Sequence, residues 1–204
     1  MGQIARDIEI VHDRAIEQRH EDRSRMVYRL VHVEVDDDEG LARCRNISDH
    51  GMKLEMSMPV RVGARLTVTF SASFQCIGRV VWTRGSECGL SLDCPIDAGV
   101  VLRHSASDTG VHGLRELRIK KDLPARIVVD GCTHETLSSD VSQYGMRLRH
   151  DGAFRAGLHV LVVLGSACER PGLVRWSDGA MADVVLLEPF SVTELGSAGA
   201  LALH

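Results

Sequence analysis

The sequence predicts a mainly β protein: two tandem small antiparallel β-barrels or sandwiches behind one N-terminal helix. Two observations support this prediction. Short segments alternate apolar and polar residues, and turn residues separate them about every 8 to 12 positions, as in small all-β domains. One residue pattern then returns 94 positions later, which indicates that the chain holds the same unit twice.

The repeat is clearest between residues 46–93 and residues 140–187, which align without a gap. Identical residues occupy 12 of the 48 aligned positions, where average residue usage would give about three by chance. Trp82 and Trp176 are among the pairs that keep the offset. Each copy is long enough to bury one modest core.

The repeat and the local composition divide the chain into five segments. We expect an N-terminal helix or arm, a first domain, a linker, a second domain and a tail, at residues 1–22, 23–95, 96–113, 114–190 and 191–204. In the first segment, one helical stripe holds Ile4, Ile8, Val11 and Ala15. This stripe either docks on the first domain or on a twin chain in a homodimer, or it forms a partner-binding arm. The tail is small and apolar, and we expect it to be frayed.

In the first copy, residues 30–35 alternate as a half-buried strand should. The acidic run that follows, closed by Gly40, predicts a hairpin turn with a permissive glycine, because it lacks the spaced ligands of a calcium loop. Trp82 is expected to fill the core rather than to stack on a ligand. Further strands are predicted at residues 41–47, 52–56, 65–70, 75–83 and 88–92.

The second copy repeats this order, with Asp130 and Gly131 at the first turn. A helical turn is predicted at residues 98–104, between the copies. Five or six short strands per copy describe a small barrel or a sandwich. The predicted strands of the second copy are residues 124–129, 159–164, 172–176 and 181–187.

The net charge of −4 gives no general attraction for nucleic acid or anionic lipid, so any anion site must be local. The six cysteines form no CxxC pair and the ten histidines lack metal-ligand spacing. We therefore expect free thiols and no metal. The longest apolar run, residues 160–164, is far too short for a membrane span, and the N-terminus lacks an apolar signal core. We expect a cytoplasmic protein.

Two short motifs lie about twenty residues apart in the first copy: Arg25-x-x-x-Arg29, then Asn46-x-Ser48-x-x-Gly51. Arg-x-x-x-Arg alone has no diagnostic value. Both motifs at this spacing, in a domain of short strands, resemble the PilZ domain, the bacterial receptor for cyclic di-GMP.

The resemblance covers residues 23–93 and, more loosely, residues 114–187. It implies a split-barrel or Greek-key fold, a non-catalytic protein without cofactor, and cyclic di-GMP as the ligand. It also implies a binding set made of Arg25, Arg29, Asn46, Ser48 and Gly51.

This set makes chemical sense for a ligand with two phosphates and two guanines. The planar fork of arginine meets a phosphate or the guanine O6/N7 edge with two hydrogen bonds, and its face stacks on a base. Arg25 and Arg29, in a flexible segment ahead of the first strand, would clamp the ligand. Asn46 and Ser48 share a strand face and would address a guanine edge. Gly51 would remove a Cβ at a close approach or supply a positive φ.

The second copy departs from the pattern. Allowing one residue of slippage, Arg118 takes the place of Arg25 and Asp122 takes the place of Arg29, where a carboxylate would repel a phosphate. A second site would consist of Arg118, Asp140, Ser142 and Gly145. We expect it to bind weakly or not at all, so that the second copy serves as a packing partner.

Three functions are compatible with these observations. The first is a cyclic di-GMP receptor that changes its inter-domain or partner contacts on binding and so regulates motility, adhesion or exopolysaccharide. The second is a tandem adaptor that binds no nucleotide and acts through an unidentified protein partner. The third and weakest is a single-stranded nucleic-acid binder. The net charge of −4 and only eight aromatic residues leave little for the basic groove and stacking rings that such a protein needs. No catalytic motif is present.

Overall fold

A computed structural model describes residues 25–107, 117–165 and 168–202 of the chain. The predicted N-terminal helix and part of the linker lie outside these residues. The described strands form two closed six-stranded antiparallel barrels, which settles the choice between barrel and sandwich and confirms the predicted fold class. Barrel 1 has the order β1-β2-β3-β6-β5-β4, and barrel 2 has the equivalent order.

The strands of barrel 1 are β1 (Arg25–Val35), β2 (Asp38–Ile47), β3 (Gly51–Glu55), β4 (Arg65–Ser71), β5 (Phe74–Arg84) and β6 (Glu87–Leu92). Those of barrel 2 are β7 (Leu123–Val129), β8 (Cys132–Val141), β9 (Gly145–Arg149), β10 (His159–Leu164), β11 (Cys168–Ser177) and β12 (Met181–Leu186). Helix α1 (Ala98–Ser107) covers the predicted helical turn, and α2 (Ala198–Ala202) lies near the C-terminus.

Alternating side chains build the core of each barrel. In β4, for example, Leu66, Val68 and Phe70 are buried while the residues between them are half-buried. Burying apolar side chains in this way stabilises the fold by roughly 1.5–3 kcal/mol for each large residue. Barrel closure also pairs the strands that would otherwise be exposed sheet edges.

The expected core position of Trp82 is wrong, because its side chain is 40% exposed. A β-bulge between Val80 and Trp82 shifts the register of β5 against β6, and Trp82 then faces Gly89. A Cβ built on Gly89 would overlap the indole, so the ring lies directly over this glycine. Trp176 of barrel 2 follows the equivalent bulge and is 48% exposed.

The predicted turns form, but the role of Gly40 differs from expectation. The β1–β2 turn takes its positive φ at Asp36, and the β7–β8 turn at Asp130 and Gly131. Gly40 instead lies within β2, where a Cβ would overlap the backbone of Gly196. The glycine is needed because the C-terminal segment passes directly against β2.

The expectation that the tail is frayed is also wrong for its described part. Val192, Leu195, Ala198 and Leu201 are buried in the core of barrel 2, together with Leu41 of barrel 1. The N–H of Leu41 donates to the carbonyl of Leu195 at 2.7 Å. The small residues of the tail let it pack against β2, so that Leu41 of barrel 1 lies in the apolar cluster of barrel 2.

Polar contacts join the β1–β2 turn to barrel 2. The Asp38 carboxylate accepts from the Ser197 hydroxyl at 2.6 Å and from the Gly199 N–H at 2.7 Å. The Lys121 ammonium donates to the Asp37 carbonyl at 2.7 Å. The hairpin β1–β2 therefore holds the two barrels together at its turn.

Glu39 is a half-buried carboxylate in this contact. Its Oε2 lies 2.7 Å from Nε2 of His32 and accepts from the Lys120 N–H at 3.2 Å. Burial raises the pKa of Glu39, but the hydrogen bonds from His32 and Lys120 outweigh burial, so the pKa lies below its ordinary value of 4.5.

We expect this contact to make stability depend on pH. A carboxyl with a depressed folded-state pKa contributes stability above its unfolded pKa and loses it as pH falls through the folded value. Urea unfolding of the wild type and Glu39→Gln should therefore differ at pH 7, and the difference should shrink as the pH falls below 4.5. A difference that is constant across this range would contradict the ionised contact.

The cysteines of barrel 1 are free thiols, as expected, and Cys44, Cys76 and Cys88 are buried. Burial raises their pKa values to about 12, 11 and 11, which keeps them protonated at neutral pH. Cys94 and Cys132 are exposed. Among the described residues, no helix has the length and apolar character needed to cross a bilayer.

Candidate functional site

The two halves of the sequence motif meet across neighbouring strands. Arg25 pairs with Ile47 and Met26 with Asn46, and after a bulge Arg29 pairs with Cys44. The structure thus corrects the expectation of a segment ahead of the first strand, because both arginines belong to β1. Strand β2 extends to Ile47 and offers backbone partners as far as Arg25.

Helix α1 begins beside Arg25. The Asp97 carboxylate accepts from the Val100 N–H at 2.8 Å, which is a helix N-cap, and Asp49 accepts from the Ala98 N–H at 3.0 Å. A Cβ built on Gly99 would lie 2.9 Å from Nη1 of Arg25. The arginine, the helix start and the β2–β3 turn therefore occupy one end of barrel 1.

Sequence reasoning missed a third arginine next to the motif. Arg45 lies in the β2 bulge directly before Asn46, with its guanidinium 4.7 Å from the centre of the Tyr28 ring. Its Nε also donates to Glu55 at 2.5 Å. A basic residue adjoining the Asn-x-Ser motif is the signal that could have drawn attention to it.

Lys53 adds a further cation on this surface. It pairs with Asn46 across β2 and β3, and its ammonium lies 2.8 Å from Glu87. Met26 and Tyr28 are largely exposed beside it. Arg45 and Lys53 are thus both paired with carboxylates, and the exposed Met26 and Tyr28 make the surface around Asn46 partly apolar, which suits a ligand with flat rings.

Ser48 closes the β2–β3 hairpin. Its N–H donates to the Gly51 carbonyl at 2.8 Å, and its hydroxyl approaches the same oxygen at 3.3 Å. Ser142 makes the same two contacts with Gly145, at 2.8 and 3.0 Å. The hairpin itself therefore accounts for the Ser-x-x-Gly pattern in both copies.

Gly51 has no positive φ, so one of the two expected reasons for it does not apply. A Cβ there would lie 2.6 Å from the Leu90 carbonyl oxygen of β6. In barrel 2 a Cβ on Gly145 would lie 2.7 Å from the Val184 carbonyl oxygen. The backbone of the neighbouring strand, rather than a turn, requires glycine at both positions.

We therefore expect Gly51→Ala to destabilise the protein without any ligand, by about 1–3 kcal/mol, because β3 must move away from β6. Gly145→Ala should have a similar effect in barrel 2. Urea unfolding of the two variants and the wild type measures the effect. Wild-type stability in Gly51→Ala would show that the close approach does not restrict this position.

The strand register corrects the alignment of the second arginine motif. Ile119 pairs with Val141 as Arg25 pairs with Ile47. Leu123 pairs with Ser138 as Arg29 pairs with Cys44. The offset is 94 without slippage, so Arg118 is not the counterpart of Arg25. Both aliphatic side chains are fully buried in the core of barrel 2.

The charged residues expected at a second site contact each other. The Arg118 guanidinium forms an ion pair with Asp140, the counterpart of Asn46, and Nη1 of Arg147 lies 4.0 Å from the same carboxylate. Asp122 lies 3.0 Å from Arg149. In this barrel, charges of the protein itself occupy the positions that would meet a ligand.

In one serine–histidine contact of barrel 2, the hydrogen bond runs in the wrong direction for the serine to act as a nucleophile. Nδ1 of His150 accepts from the N–H groups of Gly152 and Phe154 at 3.1 and 3.3 Å, so the ring proton is on Nε2. That nitrogen lies 3.0 Å from the Ser177 hydroxyl, which donates to the Phe154 carbonyl. The imidazole cannot take the serine proton in this arrangement.

Comparison with protein families gives one match, the PilZ domain, over residues 17–105. This span includes all six strands of barrel 1 and most of α1. Barrel 1 belongs to the PilZ domain family. The resemblance predicted from the two motifs is thereby confirmed, and PilZ proteins are non-catalytic receptors. Comparison with curated protein sequences gives no match.

Solved structures with a similar course of the chain include PlzA of Borreliella burgdorferi in complex with c-di-GMP. PlzA is 13% identical over 90% of this chain and 96% of its own, with a TM-score of 0.39. The Bacillus subtilis inhibitor of motility MotI/DgrA is 13% identical over 87% and 94%, with a TM-score of 0.31. Escherichia coli YcgR in complex with c-di-GMP is 10% identical over 78% and 75%, with a TM-score of 0.29.

Proposed function

We propose that this PilZ protein is a receptor for cyclic di-GMP, which binds at barrel 1. The binding set is Arg25, Arg29, Asn46, Ser48 and Gly51. The family match to barrel 1 supports the proposal, as does the meeting of both motif halves on β1 and β2. Arg25 and Arg29 would supply the local positive charge that an anion site needs in a chain of net charge −4.

The difference between the two barrels is the observation that carries this proposal. Where barrel 2 has Ile119 and Leu123 in its core, barrel 1 has Arg25 and Arg29 at the same register positions. A barrel of this topology closes well with aliphatic residues there, so the fold does not require arginine. Two guanidinium groups at the mouth of one barrel are better explained by an anionic partner.

Each member of the set has a role in the proposed complex. Arg25 and Arg29 would meet phosphates and guanine O6/N7 edges with paired hydrogen bonds and stack on the bases. The Asn46 side chain would read a base edge. Ser48 and Gly51 hold the hairpin that carries Asn46, so they contribute mainly by positioning it.

The β1–β2 hairpin offers a route from the ligand to the rest of the protein. The proposed site lies at one end of the hairpin, and Asp38 and Leu41, near its other end, contact barrel 2. Binding that changes the bulge between Met26 and Arg29 would therefore change the contacts between the barrels. We propose that a protein partner in motility, adhesion or exopolysaccharide production reads this change.

Isothermal titration of the purified protein with cyclic di-GMP tests the receptor function. We expect saturable binding at barrel 1 and a rise in the unfolding temperature with ligand. GMP at the same concentrations is the control, because it has one phosphate and one base. The absence of both heat and thermal stabilisation would contradict the receptor function. It would leave the tandem adaptor as the function.

A further inference from the structure

Strand β8 of barrel 2 has a free edge next to the β7–β8 turn. One edge of β8 pairs with β7 as far as Ser138, and β9 pairs with the other edge only from Ser138 onwards. No strand within the described residues lies along that second edge between Cys132 and Leu137. The backbone of β8 therefore offers unused hydrogen-bonding groups there, as edge strands do.

The strand register fixes which backbone groups point to the free edge. Val129 and Cys132 are the pair that closes the turn, and hydrogen-bonded pairs alternate with non-bonded pairs along an antiparallel ladder. The N–H and the carbonyl of Glu135 consequently point away from β7. Among the described residues, neither group has a hydrogen-bond partner.

Barrel 1 shows how the equivalent edge is covered. Strand β2 pairs with β3 only from Arg43 onwards, and before that point the Leu41 N–H donates to the Leu195 carbonyl at 2.7 Å. Gly196 then passes between β2 and the β3–β4 loop, where a Cβ on it would lie 2.7 Å from Cβ of Ser57. The C-terminal segment thus satisfies the edge N–H and fills the groove beside it.

The same groove is open in barrel 2. At the offset of 94 residues, Leu41 and Ser57 correspond to Glu135 and Asp151. Both line a groove of about 410 Å³, with residues 134–137 of β8 on one side and residues from the segment 149–154 on the other. No described segment of the chain fills it, so the edge and its groove are accessible together.

The charges of the groove select a basic segment. Glu135 and Asp151 are exposed, one on each side, and neither carboxylate pairs with another described residue. The arginine of the groove, Arg149, already lies 3.0 Å from Asp122. Leu137 is 38% exposed and shares a face of β8 with Glu135, so it adds an apolar contact beside the carboxylate.

We propose that the β8 edge binds an extended, basic segment of a partner protein by strand addition. The backbone of that segment would pair with the N–H and the carbonyl of Glu135, and a lysine or arginine directly opposite would face the Glu135 carboxylate. A β-branched or aliphatic residue two positions away would contact Leu137. This proposal does not rest on the receptor function, because it uses neither Arg25 nor Arg29.

Segments of this protein itself fit the edge less well. A second copy that paired through the same edge about Glu135 would place two carboxylates directly opposite each other, which is destabilising. The C-terminal segment of a second copy is already used, since Leu195 and Leu201 are buried in barrel 2. Residues 1–24 hold six carboxylates and four arginines, so they lack the positive charge that the groove favours.

Amide hydrogen exchange in the purified full chain tests whether the edge is free. We expect the Leu41 amide to be protected and the Glu135 amide to exchange rapidly, because Leu41 donates to a buried carbonyl and Glu135 does not. Protection of Glu135 in the protein alone would overturn the proposal. Protection that rises with protein concentration would assign the groove to a second copy, and constant protection would assign it to the chain itself.

A phage-displayed library of random linear peptides, selected on the full chain, tests binding. Selected peptides should carry a lysine or arginine among β-branched or aliphatic residues, and their synthetic copies should bind saturably in titration. Glu135→Pro removes the edge N–H and leaves the bonds to β7, so affinity should fall at least about tenfold. Glu135→Gln keeps that N–H and removes only the charge, so the loss should be about threefold.

Three results of this selection would overturn the proposal: no enriched peptide, enriched peptides without a basic residue, and equal affinity for Glu135→Pro and Glu135→Gln. Thermal unfolding shows whether each variant is folded. Thr133→Pro replaces Glu135→Pro if the latter does not fold, because the Thr133 N–H points to the same edge and the carboxylate is kept. Wild-type affinity in Thr133→Pro would then contradict strand addition. Cyclic di-GMP titration of the same variants should match the wild type, so the two proposals fail separately.

Discussion

Alanine at position 25 or at position 29 is expected to weaken cyclic di-GMP binding by at least about 30-fold, and together the two changes should abolish it. Truncating one partner of a hydrogen-bonded charge pair costs about 2–5 kcal/mol, because the other charge is left without its partner. Every 1.4 kcal/mol corresponds to a factor of ten in affinity. Isothermal titration of the two single variants against the wild type gives the factor directly.

Arg65→Ala is the matched control. Arg65 is an exposed arginine of the same barrel, and its guanidinium lies 2.8 Å from Asp93. Exposed ion pairs contribute about 0–1 kcal/mol, so this variant should fold and bind as the wild type does. Wild-type affinity in both Arg25→Ala and Arg29→Ala would refute the site assignment.

Leu41→Ala should destabilise the whole protein by about 2–5 kcal/mol, the usual cost of truncating a fully buried leucine. Although Leu41 belongs to β2 of barrel 1, its side chain is buried in the cluster of barrel 2 with Leu195 and Leu201. The unfolding temperature should fall by roughly 5–15 °C for a chain of this size. Barrel 2 should lose stability most directly, because Leu41 belongs to its apolar cluster and not to that of barrel 1.

Leu187→Ala provides the control, since Leu187 is 60% exposed on barrel 2. Its unfolding temperature should stay close to that of the wild type. Differential scanning calorimetry can resolve one transition or two in each variant. A Leu41→Ala protein as stable as Leu187→Ala would contradict the burial of Leu41 in the cluster of barrel 2.

The sequence alone predicted the repeat, the barrel-type strands and the motif residues, because each of these depends on local spacing. The alternation in β4 predicts its buried face, and the offset of 94 places the turns at Asp36 and Asp130. The Ser48 hairpin is local too, since Ser48 contacts a residue only three positions away.

Features that depend on long-range pairing were not predictable in this way. The bulge before Trp82 turns an apparent core residue outward, and its position follows from the register of β5 on β6. The tail is buried because Gly40 and Gly196, far apart in the sequence, let two backbones touch. The counterparts of Arg25 and Arg29 became clear only when strand pairs fixed Ile119 and Leu123.

Comparison of the two copies shows which motif residues the fold requires and which residues the fold does not explain. Ser48 and Gly51 have counterparts with the same contacts in barrel 2, so the fold accounts for them. The arginines have aliphatic counterparts, so the fold does not account for them. Arg25 and Arg29 are for this reason the residues on which the proposed function depends most.

The double variant Arg25→Ile, Arg29→Leu, which gives barrel 1 the residues of barrel 2, tests this claim most directly. We expect it to unfold at or above the wild-type temperature and to give no heat on titration with cyclic di-GMP, while the wild type binds saturably. A folded double variant that binds cyclic di-GMP with wild-type affinity would contradict a receptor site built on these two arginines.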